Sequence, residues 1–304
     1  MLNDKLKNYL HLHFLVFIAG FTAILGKLIT IEAVSLVWFR MVIATIFMLI
    51  YIKVAKVDIS IDRKTLFKFS VGGIIIALHW ITFFGAIDVS NISIALAMFS
   101  TGAFFASFIE PIVYKRKVIW YEILFGIIVI IGIAIILQTE MKHITGILLG
   151  ILSAFFSSLF AVLNGKFLEK DSATKISFYE FIAGVIFISL FILLFGDGFS
   201  AEYFKLSLED FIYLLILATI CTAYAFIASV YVMKQISPYT VVLTYNLEPI
   251  YGVVLALIIF PLTETMSPSF YYGALIILTT VILNGIIKNT KAFKNKKTQN
   301  QKIV

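Results

Sequence analysis

The sequence predicts an all-α integral membrane protein. Ten transmembrane helices form two inverted five-helix repeats, with the N- and C-termini cytoplasmic. Three observations lead there. The 304 residues are 61% hydrophobic and 13% charged, whereas a soluble domain is roughly 45–50% apolar and about 25% charged. The apolar residues fall in runs long enough to cross a bilayer. The basic residues alternate from one side of those runs to the other. Mean hydropathy is +1.04, more apolar side chain than a soluble interior can hold. A soluble enzyme and a disordered chain are both excluded.

A helix needs about 20 apolar residues, each rising about 1.5 Å, to cross about 30 Å of hydrocarbon. Ten segments qualify: 10–31, 33–52, 66–87, 91–113, 118–138, 144–165, 175–196, 210–233, 238–260 and 267–287. Barrel strands alternate apolar and polar residues over about ten positions; these runs are continuous and twice that length. The first segment follows Lys5 and Lys7, as a signal-peptide core would. It exceeds the usual core of roughly 7–15 residues and lacks a small-residue cleavage site, so it reads as a retained helix. The fourth segment is the most polar, with Ser93, Ser100, Thr101 and Ser107.

Lys and Arg set the orientation. With the N-terminus inside, the inner segments hold 20 of the 24 basic residues, from Lys5 to the six lysines of the tail. The outer segments hold only Lys27, Lys142 and Lys205, and Arg40 lies within a span. The net charge of +7 is therefore a topology signal rather than evidence for a nucleic-acid partner. The lysine-rich tail reads as a disordered cytoplasmic segment near anionic headgroups. A single cysteine, Cys221, excludes a disulfide framework and a Cys-based zinc site.

The chain also matches itself. The first two segments align with the sixth and seventh at a shift of 139–140, setting Gly26-Lys27 on Gly165-Lys166. The third to fifth align with the eighth to tenth at a shift of 147, setting Ser90 on Ser237 and Gly126 on Gly273. Glu110-Pro111 and Glu248-Pro249 look like partners but differ by 138, which breaks that register. The register of 147 pairs Glu248 with Thr101 instead. The resulting division is a first repeat over 1–143, a second over 144–288, and a basic tail over 289–304. Five crossings per repeat invert the second copy, the arrangement of many secondary transporters, whose substrate site lies near the midplane.

The pattern resembles the drug/metabolite transporter superfamily, EamA-like branch. The resemblance rests on the five-plus-five layout and on Trp38-Phe39-Arg40. It rests further on Ile236-Ser237-Pro238, Leu247-Glu248-Pro249, Glu264, and Gly273 with the run Ala274-Leu275-Ile276-Ile277. Lys117 stands at the first-half counterpart of Glu264, a departure from that pattern. The resemblance implies a central cavity lined chiefly by spans 3, 4, 8 and 9, with spans 5 and 10 as buttresses. It implies transport of amino acids, nucleotide sugars, purines or other metabolites, often as export.

Ionisable side chains inside a membrane cost about 2.5–3.5 kcal/mol at a helix centre for Arg, Lys or Asp, so the few present are candidate sites. Glu248 stands about 15 Å from either end of the ninth span at 1.5 Å per residue. Thr244 and Tyr245 share its side of the helix, and Pro249 is expected to kink it. Glu248 can carry a proton or pair with a cationic group of a substrate; it can equally bridge two helices. His79, with Phe83 one turn on, is a candidate for substrate contact or titration, or a hydrogen bond between helices. Arg40 can hold an anionic group in a bidentate fork, pair with a buried carboxylate, or snorkel outward. Its repeat partner is Glu180, making the two a candidate gate or ion pair. Thr101, as the mate of Glu248, and Tyr224 complete the candidate substrate-binding set.

The leading reading is a secondary transporter or facilitator of small metabolites in the cytoplasmic membrane. It exports amino acids or related compounds by alternating access and needs no cofactor. Proton coupling and uniport both remain open, as do monomer and homodimer. Other substrate classes of the superfamily, a non-transporting receptor and an intramembrane enzyme are the alternatives. The chain has no Walker motif and neither HExxH nor GxSxG, against ATP hydrolysis and intramembrane hydrolysis.

Overall fold

The computed structural model describes residues 4–115, 117–232, 244–245 and 247–301. All regular structure among them is helical. Three helices match the first three apolar segments: α1 (Asp4–Leu28), α2 (Ala33–Ala55) and α3 (Arg63–Val89). α4 comes in two pieces, Ile92–Phe99 and Gly102–Tyr114. Then follow α5 (Trp120–Glu140), α6 (Ile144–Phe167) and α7 (Ala173–Phe195). α8 runs Leu208–Ala218, passes through a π-helical segment Thr219–Tyr224, and continues as Ala225–Val232. α9 covers Glu248–Ile259 and α10 Pro268–Gln301. Arg116, Lys234, Ser237, Pro238 and Asn246 lie outside the described residues.

Seven helical stretches are long and apolar enough to span a membrane. One of them, Trp120–Phe167, is 48 residues long because α5 and α6 join through the tight turn Met141–His143. Glu248–Ile259 and Pro268–Asn284 are shorter apolar helices. Large apolar side chains cover the outside: Ile112, Trp120, Leu194 and Phe195 are each more than 70% exposed. Water would not tolerate that surface, whereas hydrocarbon requires it, because helices there satisfy their own backbone groups. The chain is a multi-pass membrane protein.

Two findings support the internal repeat. α2 and α7 each have 23 residues and start 140 apart, so Arg40 and Glu180 hold the same place in matched helices. The interruption of α4 at Ser100-Thr101 is matched, 147 residues on, by the Leu247 turn before Glu248. At each interruption an amide bonds three residues back rather than four: Thr101 N to Met98 O at 3.0 Å, and Leu247 N to Thr244 O at 3.0 Å. The fourth segment was expected to be continuous. Its break follows from the Thr101 hydroxyl, which donates to Met98 O at 2.7 Å, and from Gly102 beside it. Pro249 does not kink a continuous helix as expected. It sits in the first turn of a new one, where its missing N–H goes unneeded.

The halves interleave. α3 packs on α6 and α7, α1 on α9, and α5 on α10. α1 and α9 cross backbone to backbone at Gly20 and Gly252: a Cβ on Gly20 would stand 2.9 Å from Gly252 N and 3.1 Å from Glu248 O. α5 and α10 cross likewise at Gly132 and Gly273, where a Cβ on Gly273 would stand 2.7 Å from Gly132 O. Small residues at such crossings let membrane helices gain dispersion contacts along their length.

A second device fastens the halves together. Glu264, wholly buried in the short turn after α9, accepts from Ile92 N at 3.1 Å and Ser93 N at 2.8 Å. It thus caps α4, 172 residues away in sequence, supplying the acceptors that helix N-termini lack. Asn91 caps the same end through Ile94 N and donates to Thr263 O. At the other end of the chain, α10 carries the lysine-rich run on as helix to Gln301, where disorder was expected. That run contains neither Pro nor Gly, so nothing in it breaks a helix.

Candidate functional site

Arg40 is 3% exposed, about a third of the way along α2. Its guanidinium lies over the Trp80 ring of α3, Cζ 3.9 Å from the centroid, with Phe84 at 5.7 Å. Its Nε donates to Thr222 Oγ1 at 2.8 Å. Its Nη1 is buried with no hydrogen-bond partner among the described residues. Arg40 neither snorkels nor forms an ion pair within 4.0 Å among the described residues. Thr222 belongs to the π-helical segment of α8, and its hydroxyl also donates to Leu217 O, five residues back, at 2.7 Å. The wider π turn gives that hydroxyl its reach to a carbonyl within the helix while it receives the guanidinium.

Glu248 opens α9 one turn before the Gly20–Gly252 crossing and is partly accessible. It stands within electrostatic range of Arg40. Two residues about 200 apart in sequence thus come within electrostatic range without an ion pair between them. His79, 8% exposed, is next to Trp80 on α3. Its Nδ1 meets Ser153 Oγ at 2.9 Å and Ser153 O at 3.1 Å on α6. Phe99 stacks on His79 at 5.4 Å between centroids and Phe83 lies at 6.1 Å. His79 therefore joins α3 to α6 while forming part of an aromatic wall with Trp80, Phe83 and Phe99.

The other candidates stand apart. Thr101 is fully buried, its hydroxyl spent on its own helix. Tyr245 is partly buried against an apolar cluster of α1 and α8 that includes Leu12, Leu15, Ala225 and Ala228. Tyr224 is 41% exposed at the end of the π segment, with its hydroxyl 2.7 Å from His11 Nε2. Glu180 does not pair with Arg40. It is wholly buried between α7 and α3, and its Oε1 accepts from Asn164 Nδ2 at 2.8 Å.

The sequence did not single out Thr222, Ser153 or the two histidines of α1. Thr222 and Ser153 are ordinary hydroxyls until the fold sets them against Arg40 and His79. His11 and His13 were more legible, as ionisable groups within an apolar run; each meets a tyrosine, Tyr224 at 2.7 Å and Tyr251 at 3.4 Å.

The model of the EamA-like transporter family matches residues 7–138 and again 144–286, so each half of the chain carries one copy. The chain belongs to the EamA-like transporter family. Its membership fits the twofold division and the interleaved helices. No curated protein matches the sequence. The fold is similar to that of a protein of known crystal structure, with TM-score 0.62 at 12% identity, covering 92% of this chain and 98% of the other. As a member of an EamA-like family the protein is a membrane transporter.

Proposed function

We propose that this EamA-like protein exports amino acids or closely related zwitterionic metabolites across the cytoplasmic membrane by alternating access. In this reading ten spans cross the membrane and both termini lie in the cytoplasm, which the distribution of basic residues supports. The observation that carries the substrate class is Arg40, buried with its Nη1 unbonded among the described residues, with Glu248 at the helix start of α9 close enough to act on its charge without forming an ion pair. A substrate carboxylate satisfies that N–H through a charge-assisted hydrogen bond. The Glu248 carboxylate receives the substrate ammonium. Trp80 against Arg40, and Phe83 and Phe99 against His79, supply the apolar surface. Interrupted helices at the repeat interface are where transporters of inverted architecture hold their ligands.

The test is efflux from proteoliposomes loaded with radiolabelled amino acids, offered one at a time, with and without a pH gradient. Saturable efflux of a subset is expected, lost when the α-carboxyl is amidated or the amine acetylated. Undiminished efflux of the amidated compounds would refute the role of Arg40. Unchanged transport by Glu248→Gln would remove Glu248 from the site.

A further inference from the structure

The place that Arg40 holds in α2 is held in α7 by Glu180, and the two have opposite surroundings. Arg40 meets the widened π segment of α8. Glu180 meets a glycine pair on α3, and that contact is the tighter of the two. A Cβ on Gly72 would fall 2.3 Å from Glu180 Oε1, and one on Gly73 would fall 2.1 Å from Glu180 O. Gly184, one turn further along α7, continues the seam: a Cβ there would stand 2.2 Å from Met41 Cε and 3.0 Å from Gly73 O. Within this seam Glu180 has no exposure; Asn164 serves Oε1, and Oε2 has no hydrogen-bond partner among the described residues.

Among the described residues no cation faces the carboxyl. From α3 it meets Gly72 and Gly73, while Lys68, one turn away, is exposed. From α6 it meets Asn164, while Lys166 reaches to Val113 O at 3.1 Å. From α2, Met41 lies against the seam, and Arg40 is held by Thr222 and Trp80. From α8, Phe226 packs on Phe181 at 5.4 Å. Lys175 on α7 itself bonds Asp171 at 2.8 Å, and Tyr179 donates to Ile59 O. A carboxyl cut off from water, with one oxygen unbonded and no counter-charge, is held most cheaply as the neutral acid. The same group in contact with water releases its proton.

We propose that Glu180 is a proton-binding site, opened and closed to cytoplasmic water by separation of α3 from α7 along the Gly72–Gly73–Gly184 seam. With the seam shut, Oε2 carries the proton. With it open, the proton passes to cytoplasmic water and the carboxylate is hydrated, so each opening releases one proton and each closing takes one up, which makes the seam responsive to the pH on that side. Glycine seams suit such a motion because no side chains interlock across them. The site is separate from the Arg40–Glu248 substrate site. Its coupling to transport rests on the function proposed above, but its proton chemistry does not.

Two measurements test the proposal. The first is infrared difference spectroscopy of the full-length protein in lipid, comparing neutral with alkaline buffer, for wild type, Glu180→Gln and Asn164→Leu. A protonated-carboxyl band that is bleached in alkali is expected in wild type, missing in Glu180→Gln, and moved in frequency in Asn164→Leu. Identical carboxyl regions in wild type and Glu180→Gln would overturn the site; so would a band unmoved in Asn164→Leu. The second is flux of the amino-acid panel in proteoliposomes. Glu180→Gln should retain exchange of labelled for unlabelled substrate but lose its response to an imposed pH gradient. A Glu180→Gln protein that follows the gradient as wild type does would overturn the coupling, as would wild-type flux indifferent to it. A wild type that moves no amino acid but shows the band would refute the transport reading and leave the proton site standing.

Discussion

Arg40 sits over Trp80, its Cζ 3.9 Å from the ring centroid, and gives its Nε to Thr222 rather than to a carboxylate. The arrangement uses two properties of guanidinium that an ammonium lacks: a planar face and donors fixed in a fork. A desolvated cation–π contact of this kind contributes about 2 kcal/mol. The stack and the Thr222 bond together aim the remaining donors.

Arg40→Lys therefore keeps the charge and loses the aim. Substrate affinity is expected to fall on the order of tenfold, which corresponds to about 1.4 kcal/mol. Titration calorimetry on an amino acid that wild type transports would measure it. An unchanged Kd would mean that charge alone matters at this position. Thr222→Val removes only the Nε partner and should lie between the two.

The α3–α7 seam predicts a stability change. Gly73→Ala places a Cβ 2.1 Å from the Glu180 carbonyl oxygen, and backbone cannot step aside as a flexible side chain can. Overpacking of that kind costs typically about 1–3 kcal/mol. Thermal unfolding in detergent should show a lower midpoint for Gly73→Ala. Gly198→Ala makes a contrasting control, because nothing lies within 4 Å of the Cβ there and only the positive φ of 69° is strained.

Glu264 predicts a local effect far away in sequence. Glu264→Ala leaves the Ile92 and Ser93 amides buried without acceptors. Each orphaned donor costs about 1–3 kcal/mol. Hydrogen exchange should accelerate at Ile92 and Ser93 while the amides of α7 keep their protection. Uniform acceleration would show that Glu264 supports the whole molecule rather than one helix end.

Acid should loosen the start of α3. Asp62 accepts from the Thr65 hydroxyl at 2.6 Å and from the Thr65 and Lys64 amides at 3.0 and 2.9 Å. Chiefly the Thr65 hydroxyl, then its amide, holds the Asp62 carboxyl below its usual range. A carboxylate depressed in the folded state contributes its stability above its unfolded value and loses it as pH falls through the folded one. Protection of the Lys64 and Thr65 amides should thus be full at neutral pH and decline below about pH 4, near the unperturbed value of Asp. In Asp62→Asn the protection should be weaker and flat with pH.

Hydropathy located the elements because it records which residues avoid water. The second and sixth segments start where α2 and α6 start, at residues 33 and 144, and end within three residues of them. The repeat register placed Arg40 opposite Glu180 and Thr101 opposite Glu248, and matched helix starts and helix breaks follow it. Partners were less legible. Arg40 and Thr222 are 182 residues apart, and Glu264 and Ile92 are 172 apart. A hydrogen bond at that separation leaves no periodicity behind. The break at Thr101 escaped notice for a related reason: Ser, Thr and Gly are tolerated in membrane helices, and only the direction of one hydroxyl made them a break.

The Glu264 cap also sets an order of events during synthesis. The first piece of α4 leaves the ribosome some 170 residues before its acceptor. Until then two amides at its start have no partner in the membrane. α3 is likewise made before α6 and α7, the helices that cover it. The first half, expressed alone, should reach the membrane without attaining its final packing. Supplying the second half as a separate chain should restore it, since the fold needs both halves present but not joined.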